Sequence, residues 1–92
     1  TIVNLSSTFN QDSGLVIGGA NGPLTISDSR FDNNGQAPQL VVGLAYSGLV
    51  YYSPGTSTTN AIVLSNVSAN HNRQSGLTFD HLRSDLTLVG IN

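Results

Sequence analysis

The strongest constraint on this chain is a short string that occurs three times. Ser13-Gly14-Leu15-Val16-Ile17, Ser47-Gly48-Leu49-Val50-Tyr51 and Ser75-Gly76-Leu77-Thr78-Phe79 each read Ser-Gly-Leu, a β-branched residue, then a large apolar one. In a strand, successive side chains point to opposite faces. Leu15, Leu49 and Leu77 therefore share a face with Ile17, Tyr51 and Phe79, and Val16, Val50 and Thr78 lie opposite. The three copies are too far apart in sequence to pair as hairpins. A long internal period of this kind is the mark of stacked repeats.

A second strand precedes each string. Leu24-Thr25-Ile26-Ser27-Asp28 matches Ile62-Val63-Leu64-Ser65-Asn66 and Leu86-Thr87-Leu88-Val89-Gly90, with Thr1-Ile2-Val3-Asn4 a weaker copy. Asn-rich turns follow: Phe9-Asn10-Gln11-Asp12, Phe31-Asp32-Asn33-Asn34 and Ala69-Asn70-His71-Asn72. Val3 matched to Ile26 gives a spacing of 23, Ile26 to Leu64 gives 38, and Leu64 to Leu88 gives 24. The long middle unit places its extra residues in an insertion over 35–46, as a loop or as an added strand at Leu40-Val41-Val42. The expectation is one domain over 1–92. Its coils run approximately 1–23, 24–60 with the insertion 35–46, and 61–85, and a further coil starts at 86–92.

Composition supports an all-β chain. Charged residues are 9%, hydrophobic residues 38%, and net charge is −2. Disorder needs low hydrophobicity and high net charge together, and neither holds. Three Arg and no Lys argue against a nucleic-acid partner, which needs clustered cations. No Cys means no disulfide and no thiolate metal site. The longest apolar run, Leu40 to Tyr52, is interrupted by Gly43, Ser47 and Gly48 and is too short to span a bilayer.

With these strands and turns in place, the chain resembles the right-handed parallel β-helix of the pectin-lyase-like superfamily. Residues Leu24 to Gly35 are similar to its degenerate coil repeat, Leu64 to Leu77 is a second good copy, and Val3 to Ile17 a looser one with a compressed approach to the turn. The resemblance implies a β-solenoid segment of three to four coils with one inserted loop. It also implies a context of polysaccharide lyases, glycoside hydrolases, tailspikes, or bacterial surface and filament-type repeat proteins. The catalytic strings of the enzymes in that group are absent.

Four sets of residues carry candidate chemistry. Asp12, Asp28 and Asp32 could converge on Ca²⁺ or act as paired carboxylates, but Asp28 and Asp32 align with Asn66 and Asn70 as turn residues. Asp80, His81, Arg83 and Asp85 form the one charge-dense stretch, in which a His base and an Arg for a uronate carboxylate would be catalytic. Tyr46 and Tyr52 could stack on sugar rings, whereas Tyr51 points inward. Gly18 to Pro23 reads as a corner turn, since it lacks the Asp of a Ca²⁺ β-roll and the Lys of a phosphate loop. No cofactor or metal is expected.

Neither end shows a cap, and stacked strands otherwise expose unpaired backbone and an apolar cross-section. The sequence thus predicts a structural, extracellular or cell-surface unit. It would associate with itself end-to-end or laterally through Val16, Val50 and Val63, or continue into flanking coils of a longer fibre or adhesin. The alternative is a fragment of a carbohydrate-active enzyme or a sugar-binding module. The partners then are further copies, flanking coils or a polysaccharide, with no membrane insertion.

Overall fold

The computed structural model describes residues 1–18, 22–36, 46–52, 61–80 and 85–92. They are all-β, with no helix among them. Seven strands run in chain order: β1 (Ile2–Val3), β2 (Leu15–Gly18), β3 (Leu24–Arg30), β4 (Leu49–Tyr52), β5 (Ile62–Ser68), β6 (Leu77–Asp80) and β7 (Leu86–Ile91). Odd strands form one sheet in the order β1-β3-β5-β7, and even strands form another in the order β2-β4-β6. Every pairing is parallel. Consecutive strands belong to different sheets, so each parallel neighbour is reached by way of the other sheet.

The register is regular. Ile2 pairs with Ile26, Ile26 with Leu64 and Leu64 with Leu88 in the first sheet. In the second, Leu15 pairs with Leu49 and Leu49 with Leu77, while Ile17, Tyr51 and Phe79 form the adjoining row. The inward rows meet in one core of Ile26, Phe31, Leu49, Tyr51, Ile62, Leu64 and Val67. Each such side chain contributes about 1.5–3 kcal/mol by leaving water. The Tyr51 and Phe79 rings meet at 6.3 Å, tilted by 43°.

The first sheet turns a corner within its strands. Asp28 and Asn66 sit inside β3 and β5 with φ of 51° and 53°, and Asn4 and Gly90 hold the same place with φ of 58° and 62°. These are the residue types that enter the left-handed region at least cost. The corner resets the alternation: Ile26 points in, Ser27 and Asp28 do not, and Ser29 and Phe31 point in again.

The structure corrects the sequence alignment in four places. Ile2, not Val3, pairs with Ile26, so the first spacing is 24 and not 23. A one-residue slip reverses every side chain, which is why Val3 is 53% exposed while Ile2 packs on the core. Phe9 is not the counterpart of Phe31. The bonding pattern of Asn10 with Asn34 puts Phe9 level with Asn33, at φ 59° and exposed, and the approach to the turn is not compressed. The third correction concerns the insertion. The even sheet has offsets of 34 and 28 where the odd sheet shows a basic 24, so ten extra residues precede β4 and four follow it. The insertion 35–46 thus holds ten of the fourteen, and its proposed strand at 40–42 lies outside the described residues. Lastly, Val50 is buried on the central strand β4, while Val16 is exposed and Val63 half-buried, so these three valines form no open stripe.

The turn between the sheets is built on an asparagine ladder. The Asn34 amide is fully buried; its Oδ1 accepts the Asn10 N–H at 3.1 Å and its Nδ2 donates to the Ser7 carbonyl at 3.1 Å. Asn72 repeats this one level on, accepting the Asn34 N–H at 2.8 Å and donating to the Phe31 carbonyl at 2.7 Å. The glycines of the Ser-Gly-Leu strings make room for these amides. A Cβ on Gly14 would lie 2.7 Å from Asn34 Nδ2, and one on Gly48 would lie 2.6 Å from Asn72 Nδ2. Their need is space, not an unusual backbone angle. Asn34→Ala leaves the Asn10 N–H and the half-buried Ser7 carbonyl without their partner and is expected to cost about 1–3 kcal/mol in urea unfolding. Gly48→Ala pushes the Asn72 amide aside and is expected to cost about 1–3 kcal/mol. Two neutral results would remove the ladder as a determinant of the fold.

Candidate functional site

Two places outside the core gather polar chemistry. The first surrounds Asp32, which is buried at the end of the first sheet. Its Oδ1 accepts the Ser68 hydroxyl at 2.6 Å and the Asn70 N–H at 2.7 Å; its Oδ2 accepts Arg30 Nε at 3.1 Å. The Arg30 guanidinium is largely exposed and also reaches Oδ2 through its terminal nitrogen. Burial by itself would raise the Asp32 carboxyl, but the bonds from Ser68 and Asn70 and the charge of Arg30 outweigh it and hold it below the ordinary value. A carboxylate with its acceptor sites filled by its own chain holds a turn together. It is poorly suited to act as an acid or base.

The other two acids of the proposed cluster have separate partners. Asp28 is exposed at the strand corner and accepts the Asn66 amide at 2.7 Å. Asp12 is exposed, and its backbone carbonyl accepts the Gly35 N–H at 2.8 Å. Among the described residues, no three His, Asp or Glu side chains converge where a metal could sit.

The second place is the outer face of the second sheet. Gly18, Tyr52 and Asp80 occupy one row across β2, β4 and β6. A Cβ on Gly18 would fall 2.4 Å from the Tyr52 ring, so the ring lies across the glycine and remains 38% exposed. Asp80 is half-buried at the end of the row. Asp85 is exposed, and its carbonyl accepts the Ile62 N–H at 2.9 Å, which aligns β7 on β5. His81 and Arg83 lie outside the described residues. Tyr46 differs from expectation: its ring is buried, and the Arg73 guanidinium sits 5.7 Å from its centroid. The ring faces the protein and not solvent. The Gly18–Tyr52 pairing continues the offset of 34 that matches Leu15 with Leu49 and Ile17 with Tyr51; the repeat carries no signal that the ring lies across the glycine.

Among the described residues, no helix is long and apolar enough to cross a membrane. Comparison with protein-family models, curated proteins and solved structures finds no match.

Asp32 makes stability depend on acid in a definite sense. Its folded carboxyl keeps its charge to lower pH than in the unfolded chain. The contribution is therefore complete above the ordinary aspartate value of 3.8 and is lost as pH falls through the lower folded value. Urea midpoints of the native chain should drop below that pH. Asp32→Asn should lower the midpoint near neutral pH and flatten the acid limb; an unchanged acid limb would show that Asp32 does not carry it.

Proposed function

We propose that the chain is a segment of right-handed parallel β-helix of three to four coils, resembling the pectin-lyase-like superfamily. In this reading it serves as a structural unit of an extracellular or cell-surface fibre or adhesin. The supporting observation is the gradient of burial along each inward row. Ile26 and Leu64 are completely buried, whereas Leu88 at the end of the same row is 46% exposed. Leu15 and Ile17 at one end of the second sheet, and Leu77 and Phe79 at the other, are half-buried around closed central residues. The same chemistry that closes the middle is left open at both ends. Rows of this kind are completed by more of the same, either from other copies or from flanking coils.

A second reading rests on Tyr52. A ring laid over a glycine, with a carboxylate in the same row, offers an apolar face and a polar neighbour, which is what a sugar ring binds. In this alternative the chain is a sugar-binding module or part of a carbohydrate-active protein, with Asp80 in the row of the platform and His81, Arg83 and Asp85 following it in sequence.

Light scattering across a wide concentration range tests the first reading: the apparent mass should rise with concentration. A constant monomer mass up to millimolar chain would overturn self-association. A glycan array tests the second, with Tyr52→Ala expected to abolish any signal; no signal from the native chain would eliminate it.

A further inference from the structure

The chain contains two Asn-Gly pairs, Asn21-Gly22 and Asn34-Gly35. The fold dictates both residues of the second. Asn34 is a rung of the ladder, a place that needs a donor and an acceptor on one short plane. Gly35 has a φ of 85°, and a Cβ there would lie 2.6 Å from the Arg73 Cβ and 2.8 Å from the Tyr46 Cβ. The other rungs do not carry this pairing: Asn10 is followed by Gln11 and Asn72 by Arg73.

Asn before Gly is chemically labile. Asn is a thermolabile residue, and a following glycine, with no Cβ, leaves its nitrogen unhindered and its backbone free to turn toward the side chain before it. In the folded chain every atom of that reaction is held. Asn34 and Gly35 are both buried. Asn34 Oδ1 accepts the N–H and the Nδ2 of Asn10 at 3.1 and 2.8 Å, and its Nδ2 donates to the Ser7 carbonyl at 3.1 Å. The Gly35 N–H, which holds the attacking nitrogen, donates to the Asn10 carbonyl at 3.0 Å and the Asp12 carbonyl at 2.8 Å. The main chain of Asn34 is fixed as well, its N–H on Asn72 Oδ1 at 2.8 Å and its carbonyl under the Arg73 N–H at 3.0 Å. Side chain and nitrogen can meet only after the levels of the stack have parted.

We propose that Asn34-Gly35 is a deamidation site hidden by the fold, and that its conversion makes unfolding of this chain irreversible. Once the levels part, the Gly35 nitrogen bonds to Asn34 Cγ, the Cγ–Nδ2 bond breaks, and the Gly35 proton leaves with that nitrogen as ammonia. Water then adds to one of the two imide carbonyls. Opening at Cγ gives aspartate; opening at the main-chain carbonyl carbon gives isoaspartate, with the chain running through Cγ. The net exchange is amide and water for carboxylate and ammonium, with no change of oxidation state. Neither product restores the rung. Aspartate sets an oxygen against the Ser7 carbonyl where a donor stood, and it buries a charge without the guanidinium that Asp32 has. Isoaspartate lengthens the main chain by one carbon and moves Gly35 out of its place beside Arg73 and Tyr46. Chemical change of the unfolded chain then competes with refolding.

The test uses the unaltered chain and peptide mapping by mass spectrometry. Cleavage after Arg30 and Arg73 puts Asn21 and Asn34 on different fragments. Native and urea-unfolded samples are held at mildly alkaline pH for as long as Asn21 takes to convert in urea. Asn34 should convert alongside it in urea and should be slower in the native chain by roughly tenfold or more, since only the opened fraction reacts. Equal rates at Asn34 in the two samples, or an Asn34 that stays an amide in urea, would overturn the hidden site. The urea sample is next diluted to refold, and compact chains are separated from the rest. Conversion at 34 should be several-fold depleted among the compact chains; an equal share in both fractions overturns the irreversible step. Asn34→Asp reads the same step without the chemistry. It should lower the urea midpoint or prevent folding, and an unchanged midpoint would show that the rung tolerates the acid.

Discussion

The structure depends on the fit between an asparagine amide and a missing side chain. Asn34 and Asn72 each reach back one level, satisfy a backbone N–H and a backbone carbonyl, and occupy the space a Cβ on Gly14 or Gly48 would fill. A turn between two sheets leaves backbone groups that neither sheet can pair, and buried groups of that kind must find a partner. The side-chain amide supplies a donor and an acceptor on one rigid plane, which is what the gap requires. With the turn fixed in this way, the strands before and after it are forced into register, and the apolar rows follow.

Much of this was legible in the sequence, and the residues that were legible share a property. Leu15, Leu49 and Leu77 announce themselves because their neighbours repeat too, and the structure pairs them in that order. The inward direction of Tyr51 followed from strand alternation alone. The exceptions lie where a corner interrupts alternation. By sequence Val3 stands 23 residues before Ile26 as its counterpart, but the left-handed residue at Asn4 fixes the phase and moves Ile2 inward. Phe9 reads as the counterpart of Phe31, although Ser7 holds the inward place and donates its hydroxyl to the Gly14 carbonyl at 2.6 Å. A small polar residue in a core row carries no hydrophobic signal, so the substitution was invisible without coordinates.

The candidate chemistry was less legible. Asp32 aligns with Asn70 and reads as an ordinary turn residue, yet its carboxylate accepts three separate groups. Tyr46 reads as a surface aromatic beside an insertion, yet it is buried under Arg73. In both cases the decisive partner lies on another level of the stack, tens of residues away, and local pattern has no access to it. Tyr52 is the reverse case: its exposure follows from the alternation, but the platform beneath it depends on a glycine in a different strand.

The equal offsets of 24 in the first and last steps of the odd sheet have an evolutionary consequence. They make the length of such a chain quantised. Removal of residues 62–85 would join Ala61 to Leu86 and bring β7 onto β3 with every inward row and the corner column in phase. Duplication of the same block would add one level and change no contact type. Insertions of other sizes must be absorbed between strands, as the ten and four residues on either side of β4 are. Drift in such a lineage therefore has two separate channels: whole levels that alter height, and excursions beside β4 that alter surface.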